Sequence, residues 1–432
     1  MFAFSFNILN AQNTKEINLN EVTVNASRIV NKANGMIIIP TESQRKAATN
    51  GYSMLGKIGL PDIRIDETKH SITALGNQGD VQVRINNVIA TKEDMLAVNP
   101  VDIISIDFID KPGVRYGEGV AYVINIITRR DESGYTVGTD MTQSLTARSG
   151  NYSGYAKINH KNSELGLTYN LSYNDFRGNI YDEKAQYTLN DGSNYIISRD
   201  DIDSRSRNIE HTFELKYNLA DSASYVFQTS LSANFNHAPG DYNKRLITDN
   251  VNEYISETRN NGNVKSPALD IYFFHKLGNH QNVTANFVGT AISANEYNYN
   301  DEGSPYEYTT NGNTWSMMSE AIYENILNPV TVSAGIRNNI KYTKNKYGGS
   351  VDTTNRMHNY GTYLFGELKG HWNKLGYVGG FGISNQRYNQ GENGYNYWLI
   401  RPKATISYSL NKNLVMNYSF EIYEHISKIA MI

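Results

Sequence analysis

Between residues 165 and 174 the chain alternates without a break: Leu165, Leu167, Tyr169, Leu171 and Tyr173 are interleaved with Gly166, Thr168, Asn170, Ser172 and Asn174. Only a period of two places every apolar residue on one face, so the segment is a strand with one oily side and one polar side. The pattern returns at Phe213, Leu215, Tyr217 and Leu219, and again at Leu414, Met416, Tyr418, Phe420 and Ile422. From Tyr135 onward the 432-residue chain holds only strands of this kind, tight turns and polar stretches.

The connections alternate too. Short turns fall near Lys161-Asn162, residues 220–223, residues 278–280, Asn328-Pro329, Asn373-Lys374 and Asn411-Lys412. Between them lie longer polar stretches near 178–205, 238–264, 299–311, 346–356 and 390–396, read as loops. An up-and-down membrane barrel has this rhythm, with short turns at one mouth and long loops at the other. A soluble sandwich has no reason to sort loop length by end. Mean hydropathy is −0.52 and no run of eighteen apolar residues occurs, which excludes a membrane helix but not a barrel, whose two faces average out. Thirty-two tyrosines, 34 glycines and only 19% charged residues suit strands that meet an interface and turn tightly. A net charge of −3 supplies no basic field for nucleic acid, and the absence of cysteine excludes disulfides, cysteine-based zinc sites and thiol nucleophiles.

The expected fold is an all-β transmembrane antiparallel β-barrel with an N-terminal α+β plug domain in its lumen. Residues 1–11 read as the tail of a signal peptide cleaved after Ala11, residues 12–130 as the plug, and residues 131–432 as the first thirteen or so barrel strands. In the plug, residues 43–58 read as one helix with Ser43 as N-cap and Gly59 as stop. Asn86-Asn87 reads as a hairpin turn, and Thr91-Lys92-Glu93-Asp94 opens a short helix that ends at Asn99-Pro100. The first barrel strand is placed at about 135–147, with an external turn at 148–151. A plugged transporter has about 22 strands, so roughly nine more, on the order of 200 residues, are expected beyond this sequence.

With those residues in view, residues 19–130 resemble the plug of TonB-dependent outer-membrane receptors, in the form common in Bacteroidetes-like bacteria. The matching segments are Leu19 to Val24, Leu60 to Asp66, Val81 to Val88, and Arg115-Tyr116-Gly117 running on to Thr128. Asn87 departs from the glycine usual at that hairpin tip, although asparagine also accepts a left-handed conformation. The resemblance implies energised uptake of a scarce solute of the siderophore, cobalamin or glycan class at the bacterial outer membrane. It also implies a TonB-type inner-membrane energy complex as partner, pulling on a box for which residues 16–24 are the candidate, and a surface lipoprotein as a further candidate partner. The runner-up is an energy-coupled sensor or surface-binding receptor without import. A secreted β-rich enzyme or lectin would instead be soluble without detergent.

Arg64, Asp66, Arg84, Arg115, Tyr116 and Gly117 are candidate plug-to-wall anchors, because charges buried in a lumen need partners. Gly76, Asn77 and Gln78 at the plug apex, with Tyr195, Tyr254 and Tyr299 in the outer stretches, are candidate ligand-facing residues: rings stack and amides hydrogen-bond. Against that, tyrosines also build interfacial girdles. The nine histidines are scattered, without metal-ligand spacing. No nucleophile elbow or phosphate loop appears, so the sequence calls for no catalytic residue, metal or cofactor.

Overall fold

The computed structural model describes residues 5–8, 28–32, 35–75, 79–110, 112, 116, 120–129, 133–221, 224–327, 329–350, 352–391, 393–411 and 414–422. Strand β1 is Ser5–Ile8. The plug follows with β2 (Ile29–Lys32), β3 (Gly35–Ile38), helices α1 (Glu42–Ala47) and α2 (Gly51–Ile58), β4 (Ile63–Asp66), β5 (Ser71–Ala74), β6 (Asp80–Ile85), β7 (Val88–Ile89), α3 (Lys92–Ala97), a single turn at Pro100–Asp102, β8 (Ile103–Ile109) and β9 (Val120–Thr128). The wall comprises β10 (Ser133–Gln143), β11 (Arg148–His160), β12 (Ser163–Arg177), β13 (Asp182–Thr188), β14 (Asn194–Asp221), β15 (Tyr225–Thr248), β16 (Glu253–Lys276) and β17 (Gln281–Asp301). It continues through β18 (Pro305–Leu327), β19 (Val330–Gly349), β20 (Thr353–Trp372), β21 (Leu375–Gln390), β22 (Asn393–Asn411) and β23 (Leu414–Glu421).

In the plug a mixed sheet ordered β2-β3-β8-β9-β6-β7 is covered by the helices, with β6 and β9 parallel. Its core gathers Met54, Leu55, Met95, Ile103, Ile106, Phe108, Ile124 and Ile126, all essentially inaccessible. The helix expected over 43–58 is two helices. Thr41, not Ser43, caps the first through a box with Gln44, and Asn50 starts the second by accepting the Ser53 N–H at 2.9 Å. Asn50-Gly51 breaks the run because asparagine offers the backbone a side-chain bond in place of the helical one. Gly51 then lets α2 approach α3, since a Cβ there would lie 2.8 Å from Met95 O. Gly59 stops α2 at φ 69°, and Asn86 and Asn87 turn the β6–β7 hairpin at φ 50° and 70°, all as the sequence suggests.

The wall is an antiparallel meander in chain order from β10 to β23, with β13 branching off β14 and β1 lying along β23. Its polarity is inverted relative to a water-soluble protein. Leu167, Leu215, Leu231 and Leu269 form one cross-strand row and are 56%, 46%, 56% and 36% exposed. The alternate residues, such as Lys216, Asn218, Glu320, Glu367 and Arg401, are buried on the other face. An exposed leucine row over a covered charged face is what hydrocarbon outside and a polar lumen inside require.

Two expectations on connections are corrected. The first outer turn is at 144–147, because β10 ends at Gln143 and β11 begins at Arg148. The long polar stretches are not loops: β14 runs 28 residues and β15 and β16 run 24 each, through most of the regions read as loops. Crossing a bilayer takes about 9–11 residues, so these strands continue far past it. Beyond the lipid neither face meets hydrocarbon. The oily alternation lapses there while the backbone ladder persists. Consistently, Leu231→Arg at mid-band should cost about 2–4 kcal/mol of folding stability in urea titrations of vesicle-embedded protein, whereas Ile255→Arg, above the band, should cost about 0–1. Equal costs would refute the placement of the lipid belt.

Candidate functional site

The plug meets the wall at the first turn of α3 and at β7, where Val88 packs against Ala220, Val226 and Tyr272 of the wall. Thr91 caps this helix reciprocally: its Oγ1 accepts the Asp94 N–H at 3.2 Å, and Asp94 Oδ2 accepts the Thr91 N–H at 3.0 Å. That capping box fixes the Asp94 carboxylate in one orientation. Two wall lysines close on it, Lys157 Nζ of β11 at 2.8 Å from Oδ1 and Lys216 Nζ of β14 at 2.5 Å from Oδ2. Lys216 also donates to the Ile89 carbonyl at 2.9 Å, which Gln228 of β15 reaches at 3.1 Å, and Lys157 pairs with Glu164 at 3.2 Å.

The neighbours of Asp94 dock as well. Lys92 pairs with Asp140 of β10 at 2.8 Å, with His70 Nδ1 3.3 Å from the same carboxylate, and the Ser153 hydroxyl of β11 donates to Glu93 at 3.4 Å. Asp94 and Lys216 are only 10% and 8% exposed. Burial on its own would push the Asp94 carboxyl up. The charges of Lys216 and Lys157, and their hydrogen bonds, outweigh it and hold the group well below the usual carboxylate range. Beside this contact lies a cavity of about 350 Å³ lined by Asp94, Asn99, Arg129, Lys157, Glu164 and Asn218.

A second contact is made by Arg84. Its guanidinium lies 5.3 Å from the Tyr116 ring of the plug and 5.1 Å from the Tyr272 ring of β16, and donates to Tyr272 Oη at 3.2 Å and the Asn87 carbonyl at 2.9 Å. Arg84 and Tyr116 are thus brought together against the wall. Arg64 and Asp66 are not. Asp66 Oδ1 accepts the N–H groups of Thr68 and Lys69 at 3.1 and 2.9 Å, capping its own turn, and Arg64 is exposed beside it. The short β4–β5 hairpin uses its acid locally, and among the described residues neither side chain bonds to the wall. Arg115, Gly117, Gly76, Asn77 and Gln78 lie outside the described residues, as does the 16–24 segment. Sequence reading saw Asp94 only as a capping residue. The signal for its second role was an acid in α3 set against inward-facing lysines in two polar half-strands.

At the outer end, Tyr195 and Tyr254 fall on the inward parity of β14 and β16 together with buried Ile197 and Ile247, and the Tyr195 hydroxyl donates to Asp249 at 3.2 Å. Tyr299 does not join them. It shares the outward parity of β17 with Phe287, and its ring lies 5.5 Å from the Arg259 guanidinium.

No family model matches the chain, and no curated protein matches its sequence. Solved structures do. The copper transporter OprC is 12% identical with a TM-score of 0.50, covering 89% of this chain and 62% of that one. FpvA of P. aeruginosa bound to heterologous pyoverdines is 10% identical with a TM-score of 0.35, covering 89% and 70%. The ferric yersiniabactin uptake receptor FyuA from Yersinia pestis is 10% identical with a TM-score of 0.35, covering 89% and 78%. The likeness to OprC establishes the fold, and the chain spans about 62% of the OprC chain's length.

Asp94→Asn should leave two buried lysines against a neutral amide and loosen the plug by about 3–5 kcal/mol, read as faster limited proteolysis of residues 35–110. Because the folded pKa lies below the unfolded value of about 3.9, the wild-type contact should be fully present above that pH and lost only as pH falls towards the folded pKa. Release of the plug between pH 5 and 7 would contradict this account.

Proposed function

We propose that this chain, which has the plug-and-barrel fold of TonB-dependent outer-membrane receptors, imports a scarce solute across the bacterial outer membrane. The observation that carries the reading is the inverted polarity of the wall with a folded plug clamped to its charged face by Asp94, Lys157 and Lys216. A wall of that polarity is stable only around water or around something polar, and here the polar filling is a separate domain with its own hydrophobic core. Passage therefore needs the plug to shift.

The contact is suited to that. Charge pairs with good geometry hold one arrangement firmly, yet they release discretely, because breaking one partner strands the other. The work comes from an inner-membrane energy complex of the TonB type, acting on the N-terminal segment by strand addition. The solute enters from the outer hairpins, where Tyr195, Tyr254 and Asp249 offer rings, a hydroxyl and a carboxylate on the inward face. Iron chelates, cobalamin and glycans fit such a surface, and copper joins the panel because OprC is a copper transporter.

These 432 residues hold no cysteine, so a pair introduced here can be bridged selectively within them. Glu93→Cys with Ser153→Cys, bridged by a short cleavable cross-linker in the full-length receptor, should leave surface binding of the solute intact. Uptake should drop to the level of a deletion strain and return on cleavage. Uptake that continues with the plug tethered would overturn import by plug movement. Recovery of the full-length protein outside the outer-membrane fraction would overturn the reading altogether.

A further inference from the structure

The outward side of the wall changes character at one level on several adjacent strands. On β12 the outward residues are Leu165, Leu167, Tyr169, Leu171 and Tyr173, then Asp175 and Arg177. On β14 they are Leu215, Phe213, His211 and Ile209, then Arg207 and Arg205. The ladder sets these charges in rows. Arg148 of β11 lies opposite Asp175, and Asp175 opposite Arg207. The next row carries Arg177 opposite Arg205, then Tyr242, Arg259 and Tyr299 on the following strands. From Leu165 to Asp175 the strand climbs about 33 Å, or about 25 Å along the membrane normal at barrel tilt, which is the height of a lipid-facing band. The charged rows begin where hydrocarbon ends, at the mouth away from the short Lys161-Asn162 turn.

Around Asp175 arginine outnumbers acid, with Arg148, Arg177, Arg205 and Arg207 on the paired positions of the two rows. Asp175, with a side chain 2% exposed, takes a two-pronged bond from Arg205, Nε to Oδ1 at 2.8 Å and Nη2 to Oδ2 at 3.0 Å. Arg148 and Arg177 approach the same carboxylate only to 3.8 Å and stay 69% and 57% exposed. Arg207 Nε is buried without a hydrogen-bond partner among the described residues. Other acids higher on this face are already engaged: Asp203 accepts the Tyr242 hydroxyl at 2.9 Å, and Glu257 accepts Arg259 Nε at 2.6 Å. Directly below, Tyr169, Phe213 and Phe235 make an aromatic cluster with ring centroids 4.8 and 6.3 Å apart.

We propose that this patch binds the phosphate of a lipid headgroup in the outer leaflet, an inference that rests on the outer-membrane reading above. Arg148 and Arg177 supply the forks, matching a phosphate's oxygens in pairs at a border where water screens poorly. The occupant is a lipid and not a free anion, because the arginines stand at the top of an oily band. A phosphorylated lipid satisfies both at once, its head on the guanidinium groups and its chains along Tyr169, Phe213 and the leucine row. A soluble phosphate would meet the charges alone.

The full-length receptor in phosphatidylcholine nanodiscs, doped with diphosphoryl lipid A or with the same lipid stripped of phosphate, tests this by native mass spectrometry of retained lipid. The wild type should keep the phosphorylated lipid about tenfold better, the equivalent of one charge-assisted contact. Arg148→Ala with Arg177→Ala should remove that preference. Both side chains are exposed, so the variant should fold, and its unchanged heat-modifiable migration on gels confirms this. Equal retention of the two lipids, or a preference that survives the double substitution, overturns the proposal. Displacement of the lipid by millimolar inorganic phosphate would reassign the patch to a free anion and overturn it as well. A receptor that does not enter nanodiscs at all would fail the membrane reading first, which separates the two failures.

Discussion

A sheet that turns its oily face outward is committed to a polar interior, and every charge placed there needs a counter-charge. That constraint organises the molecule. The inward half of each wall strand carries lysine, asparagine, glutamate and arginine, and part of this set is satisfied within the wall, as where Glu320 accepts from Arg337 at 2.6 Å and Asn286 at 2.8 Å. Another part is satisfied by the plug. Lys216 finds its counter-charge in Asp94, and Lys157 shares Asp94 with Glu164 of the wall, so the wall's own electrostatics favour the docked domain.

The clamp is also local chemistry put to a second use. Asp94 belongs to a capping box, an arrangement common at helix starts and worth about 1 kcal/mol. Because the box consumes only part of the carboxylate's acceptor capacity, the remainder is available to the wall in a fixed direction. Gly51 makes room for α3 against α2, and the plug core holds Met95 beneath it. A chain of apolar contacts thus positions one charged group without contacting the wall.

How much of this was legible depended on whether the information was periodic. The alternating strands, the Asn86-Asn87 turn, the Gly59 stop and the α3 cap follow from local patterns and are found in the structure. The outer stretches misled because strand was inferred from oily alternation. Residues 238–264 lack that alternation, having no lipid to face, yet they stay hydrogen-bonded as β15 and β16. Pairings across the lumen were not legible. Arg64, Asp66 and Arg84 look alike as charges in strands, and only the tertiary fold sends Arg84 to Tyr272 while Asp66 bends back on Thr68 and Lys69. Tyr299 shows the same limit, since its side of the sheet is set by counting registers through strands whose boundaries the sequence did not reveal.

The continuation of β14 past the membrane has a consequence for selectivity. At about 3.3 Å per residue its 28 residues span about 90 Å, and the neighbouring strands rise beside it in register. Along β14 to β20 the mouth is therefore lined by a stiff palisade of paired strands. A solute that reaches it finds its contact groups already fixed, so capture forgoes little chain entropy.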